Sequence, residues 1–464
     1  MTEIKDIKRI YFLGIGGIGM SALARYFNAK GVLVSGYDKT ETVLTKQLVK
    51  EGIAVHFEDN IEFIDKEANL VVYTPAIPKD HKELNYFLQH NYSVVKRSDV
   101  LGMITNSSFN ICVAGTHGKT TSSTMVAHIL RHSGYGCNAF LGGIAANYNT
   151  NFWSQIPAQP GSSENNVCVV EADEYDRSFL KLSPDVAIIT AMDPDHLDIY
   201  GTAENVEQAF IEFSARIKSD GLLLSKYGLK RGNELKGSNH LTYHLNDQKA
   251  DVYAADVKTD NGSYQFNIVT KDWQLNEVVL NMGGMHNIEN MVAAISVAKH
   301  LKIDDEKIKA AVSSFKGVKR RFEYIIKQDK KVFIDDYAHH PDELRALLTG
   351  ARNMFSNMKC TVVFQPHLFT RTRDFADGFA ESLDLADEVI LLPVYPAREL
   401  PIEGVTSEMI LDRMKNPGKQ VLSKTELPGW IKNNKTELLI TAGAGDIDTL
   451  VEPIKKIIEE SIGK

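Results

Sequence analysis

The segment that most narrows what this chain can fold into is Gly115-Thr116-His117-Gly118-Lys119-Thr120-Thr121. It follows a short apolar run at residues 110–114 and precedes a helical pattern reaching about residue 132. A strand, a glycine-rich turn and a helix in immediate succession belong to an α/β sheet. Glycines let backbone N–H groups turn toward phosphate oxygens, and the helix N-terminus adds its dipole. Lys119 brings a point charge and Thr120 a hydroxyl suited to Mg2+. The strict pattern wants a glycine five residues before Gly118, and the chain has Val113 there. This is a variant phosphate loop; an ordinary strand-to-helix turn is the plainer alternative.

Around this loop the chain divides into three blocks. In the first, an apolar run at 9–14 enters Gly14-Ile15-Gly16-Gly17-Ile18-Gly19 and then a helix over 20–30, with further strands at 32–36 and 70–74. Alternation of this kind predicts a doubly wound parallel sheet ending near Ser107. The second block holds the phosphate loop and strands at 167–170 and 185–190. Residues 154–166 have loop composition, and 249–282 alternate around Asp260-Asn261-Gly262 as antiparallel hairpins do. A helix follows from Met285-His286-Asn287-Ile288-Glu289-Asn290. The pattern resets at 316–321, and strands at 331–335, 360–365, 387–394 and 438–441 form a third α/β unit.

At 464 residues, two to four domains are expected. With 52 Lys plus Arg against 60 Asp plus Glu, a net charge of −8 disfavours a nucleic-acid or anionic-membrane binder. Any anionic ligand must be met by local positive groups. The longest apolar stretches are strand-sized, far short of the ~20 residues that span a bilayer. The first ten residues lack a secretory h-region, so a cytoplasmic protein without membrane insertion is expected. Four widely spaced cysteines fit neither a disulfide framework nor a metal knuckle, and Cys112 and Cys168 read as small buried hydrophobes.

Several strand ends carry chemistry. Gly14 to Gly19 satisfies GxGxxG, with Asp38 where a ribose-binding acid would sit; a tight turn, a nucleotide-sugar site or a nicotinamide site are all compatible with it. Glu171-Ala172-Asp173-Glu174-Tyr175-Asp176 and Asp193-Pro194-Asp195-His196-Leu197-Asp198 each follow a strand of the phosphate-loop block, where acids can hold Mg2+. Either could instead be a solvated acidic loop. In the third block, Arg320-Arg321-Phe322-Glu323 is either functional or a charged helix flank. His339 and His340, adjacent and without a third ligand nearby, make a poor zinc site. His367 to Arg373 concentrates positive charge fit for carboxylate or phosphate.

Taken in order, GIGGIGM, GTHGKTT, EADEYD, DPDHLD, MHNIEN, RRFE, DDYAHHPDE, QPHLFTRTRDF and ITAGAGD resemble the Mur ligase family over essentially the whole chain. The resemblance implies three domains: 1–107, Rossmann-like and UDP-sugar-binding; 108–316, a P-loop ATPase with a parallel sheet plus antiparallel hairpins; and 317–464, Rossmann-like and amino-acid-binding. It implies an ATP-dependent ligase that joins L-alanine to the lactyl carboxylate of UDP-N-acetylmuramate through an acyl phosphate, in peptidoglycan precursor synthesis. One or two Mg2+ ions are expected, with Mn2+ as a substitute, in a monomer or weak homodimer.

By the same resemblance, Gly115, Thr116, His117, Gly118, Lys119, Thr120 and Thr121 cradle ATP, with Lys119 on its β- and γ-phosphates. Thr120 and Glu171 share one metal and His196 holds a second. Asn287 and Asn290 face adenine, Asp336 the ribose, and Arg321 the ATP phosphates. His367 and Arg371 address the amino acid, Arg371 through its carboxylate. Gly14, Gly16, Gly17, Ile18, Gly19 and Asp38 hold the UDP-sugar. Two departures stand out: relatives commonly carry arginine where this chain has Leu368, and no lysine lies between His196 and Lys218, where several sister ligases use a carbamylated one. The second departure fits the alanine-adding branch. Rival readings are a ligase that adds a preformed tripeptide, a folylpolyglutamate-synthase-like ligase, a nicotinamide-dependent oxidoreductase using GIGGIG, and a non-catalytic nucleotide sensor.

Overall fold

The computed structural model describes residues 4–154, 167–260, 262–397 and 399–462. The loop read over 154–166 lies, from residue 155 on, outside that description, as does Asn261. Three sheets organise the chain. The first contains β1 (Arg9–Leu13), β2 (Leu33–Tyr37), β3 (Ala54–His56), β4 (Leu70–Tyr73) and β5 (Val94–Lys96), in the order β3-β2-β1-β4-β5 and parallel throughout. The strand β1 leads through Gly14 to Gly17 into the helix Ile18–Ala29. The order reverses at β1, so the carboxyl ends of β1, β2 and β4 open a crevice beside that loop. Sequence reasoning overlooked β3 and β5, each only three residues long and too short to show a period.

The second sheet comprises β6 (Phe109–Ala114), β7 (Asn138–Ala145), β8 (Thr150–Trp153), β9 (Val167–Glu171), β10 (Val186–Ile189), β11 (Leu222–Lys226), β12 (Asn239–His244), β13 (Val252–Asp260), β14 (Ser263–Thr270) and β15 (Gln274–Leu280). Its order is β15-β14-β13-β12-β11-β10-β6-β9-β7-β8. At its centre β10, β6 and β9 are parallel and almost wholly buried, which is why they read as continuous apolar runs such as Val167-Cys168-Val169-Val170. β7 and β8 pair antiparallel. A three-residue link joins β14 to β15, with Thr270 N donating to Trp273 O at 3.0 Å; so short a link permits only an antiparallel turn. All four cysteines are buried and free.

The third sheet holds β16 (Glu323–Gln328), β17 (Lys331–Asp336), β18 (Cys360–Phe364), β19 (Glu388–Leu391), β20 (Lys419–Val421) and β21 (Leu438–Ala442), ordered β16-β17-β21-β18-β19-β20. Only β16 runs antiparallel, against β17. Arg320 and Arg321 therefore flank a strand, not a helix, because Glu323 begins β16.

By contacts, the chain forms two compact units. One is Met1–Ala255 with Ile268–Leu275 and Glu289–Val312, and the other is Asp256–Asn267, Asn276–Ile288 and Ser313–Lys464. Within the first unit, the first two sheets share a core: Tyr26 of the helix Ile18–Ala29 packs its ring 5.3 Å from Phe140 of β7 and 6.1 Å from Phe152 of β8. Buried Arg25 pairs with Glu51 at 2.7 Å and reaches Asn151 of β8. Asn151 in turn donates to Ser21 Oγ at 3.0 Å, closing a polar pin between the two layers.

Candidate active site

The phosphate loop starts where β6 ends. Gly115 has φ +137°, and a Cβ there would stand 2.1 Å from Thr190 Oγ1, so neither conformation nor space admits another residue. Gly118, at φ +82°, opens the 14-residue helix Lys119–His132. Behind it lies Asn290, whose Oδ1 would be 2.9 Å from a Cβ on Gly118. Thr116 N donates to Ala191 O at 3.2 Å, and its hydroxyl accepts from Asp193 N at 3.2 Å, which ties the loop to the segment after β10. Sequence reasoning looked for a glycine at Val113, but Val113 is a buried strand residue paired with Glu171 of β9 and Ile188 of β10; the turn begins only at Gly115.

The acids converge on this loop. Thr120 Oγ1 donates to Glu171 Oε1 at 3.0 Å, while Gly142 N donates to Glu171 Oε2 at 2.9 Å. Thr120 and Glu171, expected to share one metal, are hydrogen-bonded to each other. Lys119 Nζ donates to Gly115 O at 2.7 Å and to Glu174 Oε1 at 2.8 Å. Glu174 is 1% exposed, burial raises its pKa, and its Oε2 has no hydrogen-bond partner. His196 Nε2 lies 3.9 Å from Glu174 Oε1 and 3.8 Å from Asp195 Oδ2. The backbone of His196 is left-handed, at φ +51°, a conformation that costs a non-glycine residue about 1–2 kcal/mol. Sequence reasoning singled out Glu171 and His196 but passed over Glu174; its place in an acid run after a strand was visible, its burial was not.

A hard, oxygen-preferring cation suits these donors. Two carboxylates, a threonine hydroxyl and one imidazole, with an orphaned carboxylate oxygen among them, match Mg2+ in ligand type.

The glycine-rich loop after β1 occupies the same unit. Gly16 N donates to Asp38 Oδ2 at 2.7 Å, and a Cβ on Gly16 would stand 2.8 Å from that oxygen. Asp38 is therefore turned into the loop it braces, with its other oxygen accepting from Thr40 N at 3.2 Å. Gly14, at φ +85°, accepts through its carbonyl from Gly17 N, and Ile18 and Gly19 begin the helix. Arg97 lies across that helix start, its Nη1 2.6 Å from a Cβ position on Gly19, and pairs with Asp173 at 3.4 Å.

The remaining expected residues lie in the other unit. Asn287 is buried and donates from Nδ2 to Gly283 O at 2.6 Å. The two adjacent arginines separate in role. Arg320 donates to Gly443 O at 2.5 Å, pairs with buried Asp335 at 3.3 Å and lies over Tyr337, whereas Arg321 is exposed. Asp336 accepts from Phe322 N at 2.6 Å and Ala338 N at 2.7 Å, and burial lifts its pKa to about 6. His367 stacks on Tyr395 with ring centroids 5.8 Å apart, and Arg371 Nη1 is 3.3 Å from its Nδ1. Burial first, then the Arg371 charge, lowers the His367 pKa, so its ring stays neutral near pH 7. Leu368 takes φ +68° and opens the helix Phe369–Asp374 that carries Arg371.

Mur ligase family models match three successive stretches: the family's catalytic domain at residues 9–108, its middle domain at 113–298, and its glutamate ligase domain at 320–446. A UDP-N-acetylmuramate–L-alanine ligase of Flavobacterium johnsoniae is 47% identical, over 99% of this chain and 100% of that protein. One of Porphyromonas gingivalis is 48% identical, over 98% and 99%. Among solved structures, the UDP-N-acetylmuramate–alanine ligase of Thermotoga maritima superposes with TM-score 0.80 at 30% identity, covering 98% of this chain and 99% of that one. With relatives this similar along its whole length, the chain belongs to the Mur ligase family.

Proposed function

We propose that this protein is the ATP-dependent ligase that joins L-alanine to the lactyl carboxylate of UDP-N-acetylmuramate, an early amide bond of peptidoglycan precursor synthesis. The observation that carries the reading is the phosphate loop with Lys119 and the Thr120–Glu171 pair assembled at its helix, in a chain 47% identical to alanine-adding ligases over its full length. The domain division 1–107, 108–316 and 317–464 is part of the same proposal, supported by one sheet lying in each stretch.

A carboxylate resists attack by an amine, so activation precedes bond formation. The γ-phosphoryl group of ATP moves to a lactyl carboxylate oxygen, leaving ADP; the amine then attacks the acyl carbon, phosphate departs with that oxygen, and the amine gives up a proton. Such transfer needs alignment and charge neutralisation more than covalent help. Lys119 and the amides of Gly115 to Thr121 hold the phosphates, Arg321 adds charge, and Asn287, Asn290 and Asp336 bind the nucleoside. Thr120, Glu171 and His196 would hold Mg2+, which supplies charge stabilisation on the transferring group. Gly14, Gly16, Gly17, Ile18, Gly19 and Asp38 seat the UDP-sugar. Arg371 holds the alanine carboxylate, and neutral His367, stacked on Tyr395, is suited to accept the amine proton. No helix of the described residues is long and apolar enough to cross a membrane. A cytoplasmic monomer or weak homodimer is the working form proposed.

The test is phosphate release with UDP-N-acetylmuramate, ATP and Mg2+ across amino acids and peptides, with mass spectrometry of the product. L-alanine should be the preferred acceptor; turnover with a tripeptide and not with alanine refutes the assignment. Lys119→Ala should abolish release while UDP-sugar binding stays near the wild-type value.

A further inference from the structure

Arg371, which the ligase reading assigns to the alanine carboxylate, sits on a helix that cannot hold itself in place. Phe369–Asp374 has six residues, well below the ~12–15 at which an isolated helix becomes stable in water. Its first turn carries backbone N–H groups that no intrahelical carbonyl can meet, and Leu368, at the N-cap, has no side-chain acceptor to offer them. Another segment must supply the cap.

It comes from 29 residues further along the chain. Glu399 Oε2 accepts from Thr370 N at 3.0 Å and Oε1 from the Thr370 hydroxyl at 2.5 Å, so both carboxylate oxygens are engaged at the helix start. A negative group there also meets the positive end of the helix. Hydrogen bonds from Thr370, its hydroxyl first and then its N–H, hold the Glu399 pKa below its ordinary value and keep the group ionised at neutral pH. The segment that presents it is pinned in turn. Tyr395 N donates to Pro366 O at 2.8 Å, Leu368 N donates to Tyr395 O at 2.9 Å, and Glu399 N donates to Pro396 O at 2.9 Å, with Ala397 left-handed at φ +50°. Tyr395 also stacks on His367, so two residues of one segment support the pair expected to address the amino acid. Glu399 bonds to the helix start and not to Arg371. Arg371 Nη1 lies 3.3 Å from His367 Nδ1, and its guanidinium forms no ion pair with an acid among the described residues.

We propose that Glu399 is a positioning residue for the acceptor amino acid: by capping the helix Phe369–Asp374 from outside, it aims Arg371 at the alanine carboxylate and leaves the guanidinium charge available to it. The inference rests on the ligase reading and extends it from the residues that touch the amino acid to one that acts through another. Without the cap the first helical turn loses its acceptor, and Arg371, the third residue of that helix, loses a fixed direction. ATP and the UDP-sugar, bound elsewhere, are not affected.

Steady-state phosphate release by the full chain, with L-alanine, ATP and UDP-N-acetylmuramate varied in turn, tests this. Glu399→Ala should raise the KM for L-alanine at least fivefold and leave the other two within twofold. Glu399→Gln keeps the reach and one acceptor oxygen but loses the charge, and should raise the alanine KM two- to fivefold; it carries the test should Glu399→Ala fail to fold, which a thermal melt reports. In an Arg371→Ala background either substitution should add less than twofold, because it acts through that arginine. An alanine KM within twofold of wild type in the folded variants overturns the proposal. So does a KM that rises equally for all three substrates, or an undiminished loss in the Arg371→Ala background. The wild-type protein separates the two claims: alanine-dependent turnover that the Glu399 variants leave unchanged sinks only the positioning role, whereas no release with any amino acid sinks the ligase reading and the positioning role with it.

Discussion

Gly142 offers a way to disable the site while sparing the fold. Its N–H donates to Glu171 Oε2 at 2.9 Å, and a Cβ added there would stand 2.1 Å from that oxygen and 2.5 Å from Cδ. Alanine at 142 therefore evicts the Glu171 carboxylate. Its backbone φ is not positive, so the substitution adds no conformational strain. Because the displaced atoms are the far end of a flexible side chain that regains water, the fold should survive, at a stability cost of roughly 1.5–3 kcal/mol for the charge-accepting bonds given up. Eviction breaks the bonds from Gly142 N and Thr120 Oγ1, each to a charged acceptor and worth roughly 1.5–3 kcal/mol. If one such interaction is lost in the transition state, kcat/KM for ATP falls roughly 10- to 150-fold, at about 1.4 kcal/mol per tenfold. Steady-state phosphate release with varied ATP measures this, with Gly142→Ala also made in a Glu171→Gln background. Acting through Glu171, the alanine should add little in the double variant. Activity within twofold of wild type, or an undiminished loss in the Glu171→Gln background, refutes the reasoning.

Arg320→Ala should lower stability by about 3 kcal/mol, since it strips the cation from Asp335, which is 2% exposed, whereas Arg321→Ala should leave the melting temperature unchanged and lower turnover. Parallel thermal melts and phosphate-release assays separate the two. Arg371→Ala should raise the KM for L-alanine much more than that for ATP; an unchanged alanine KM removes Arg371 from the acceptor site. Burial lifts the Glu83 pKa from 4.5 to about 7, despite hydrogen bonds from Tyr11 Oη at 2.6 Å and Asn60 N at 3.0 Å. The folded state then holds a proton that the unfolded chain has released between those values, so this group makes stability fall as pH rises from about 4.5 to 7. Glu83→Gln should therefore gain stability relative to wild type toward pH 8, by at most about 3 kcal/mol at 1.36 kcal/mol per pKa unit. Urea titrations at pH 5 and 8 showing a constant difference would count against it.

Much of the architecture was legible because its central strands carry their own signal. β6, β9, β10, β17, β18 and β21 are buried on both faces, and burial on both faces forces continuous apolar runs that stand out from any flanking loop. Edge strands such as β3, β5 and β20 are three residues long and partly exposed, so neither length nor period announced them. The antiparallel β16 was hidden for another reason: with its Lys and Gln exposed at the far end, its pattern resembles a charged flank.

At the site the division is similar. The chain's residues alone marked the phosphate-loop motif, the acids after β9 and β10 and the resemblance to the family, because glycines, lysine and carboxylates at strand ends are set by local backbone demands that a linear motif records. Only the tertiary structure decided which acid pairs with Lys119, that Arg320 braces Asp335 while Arg321 faces solvent, and that Asp38 accepts from Gly16 of its own loop. Those outcomes depend on desolvation and on distances between segments far apart in sequence: Glu174 and Glu171 are three residues apart, yet one is sealed against a lysine and the other is held by Thr120 and Gly142. Spacing along a chain says which groups are available; burial says which charges must find each other.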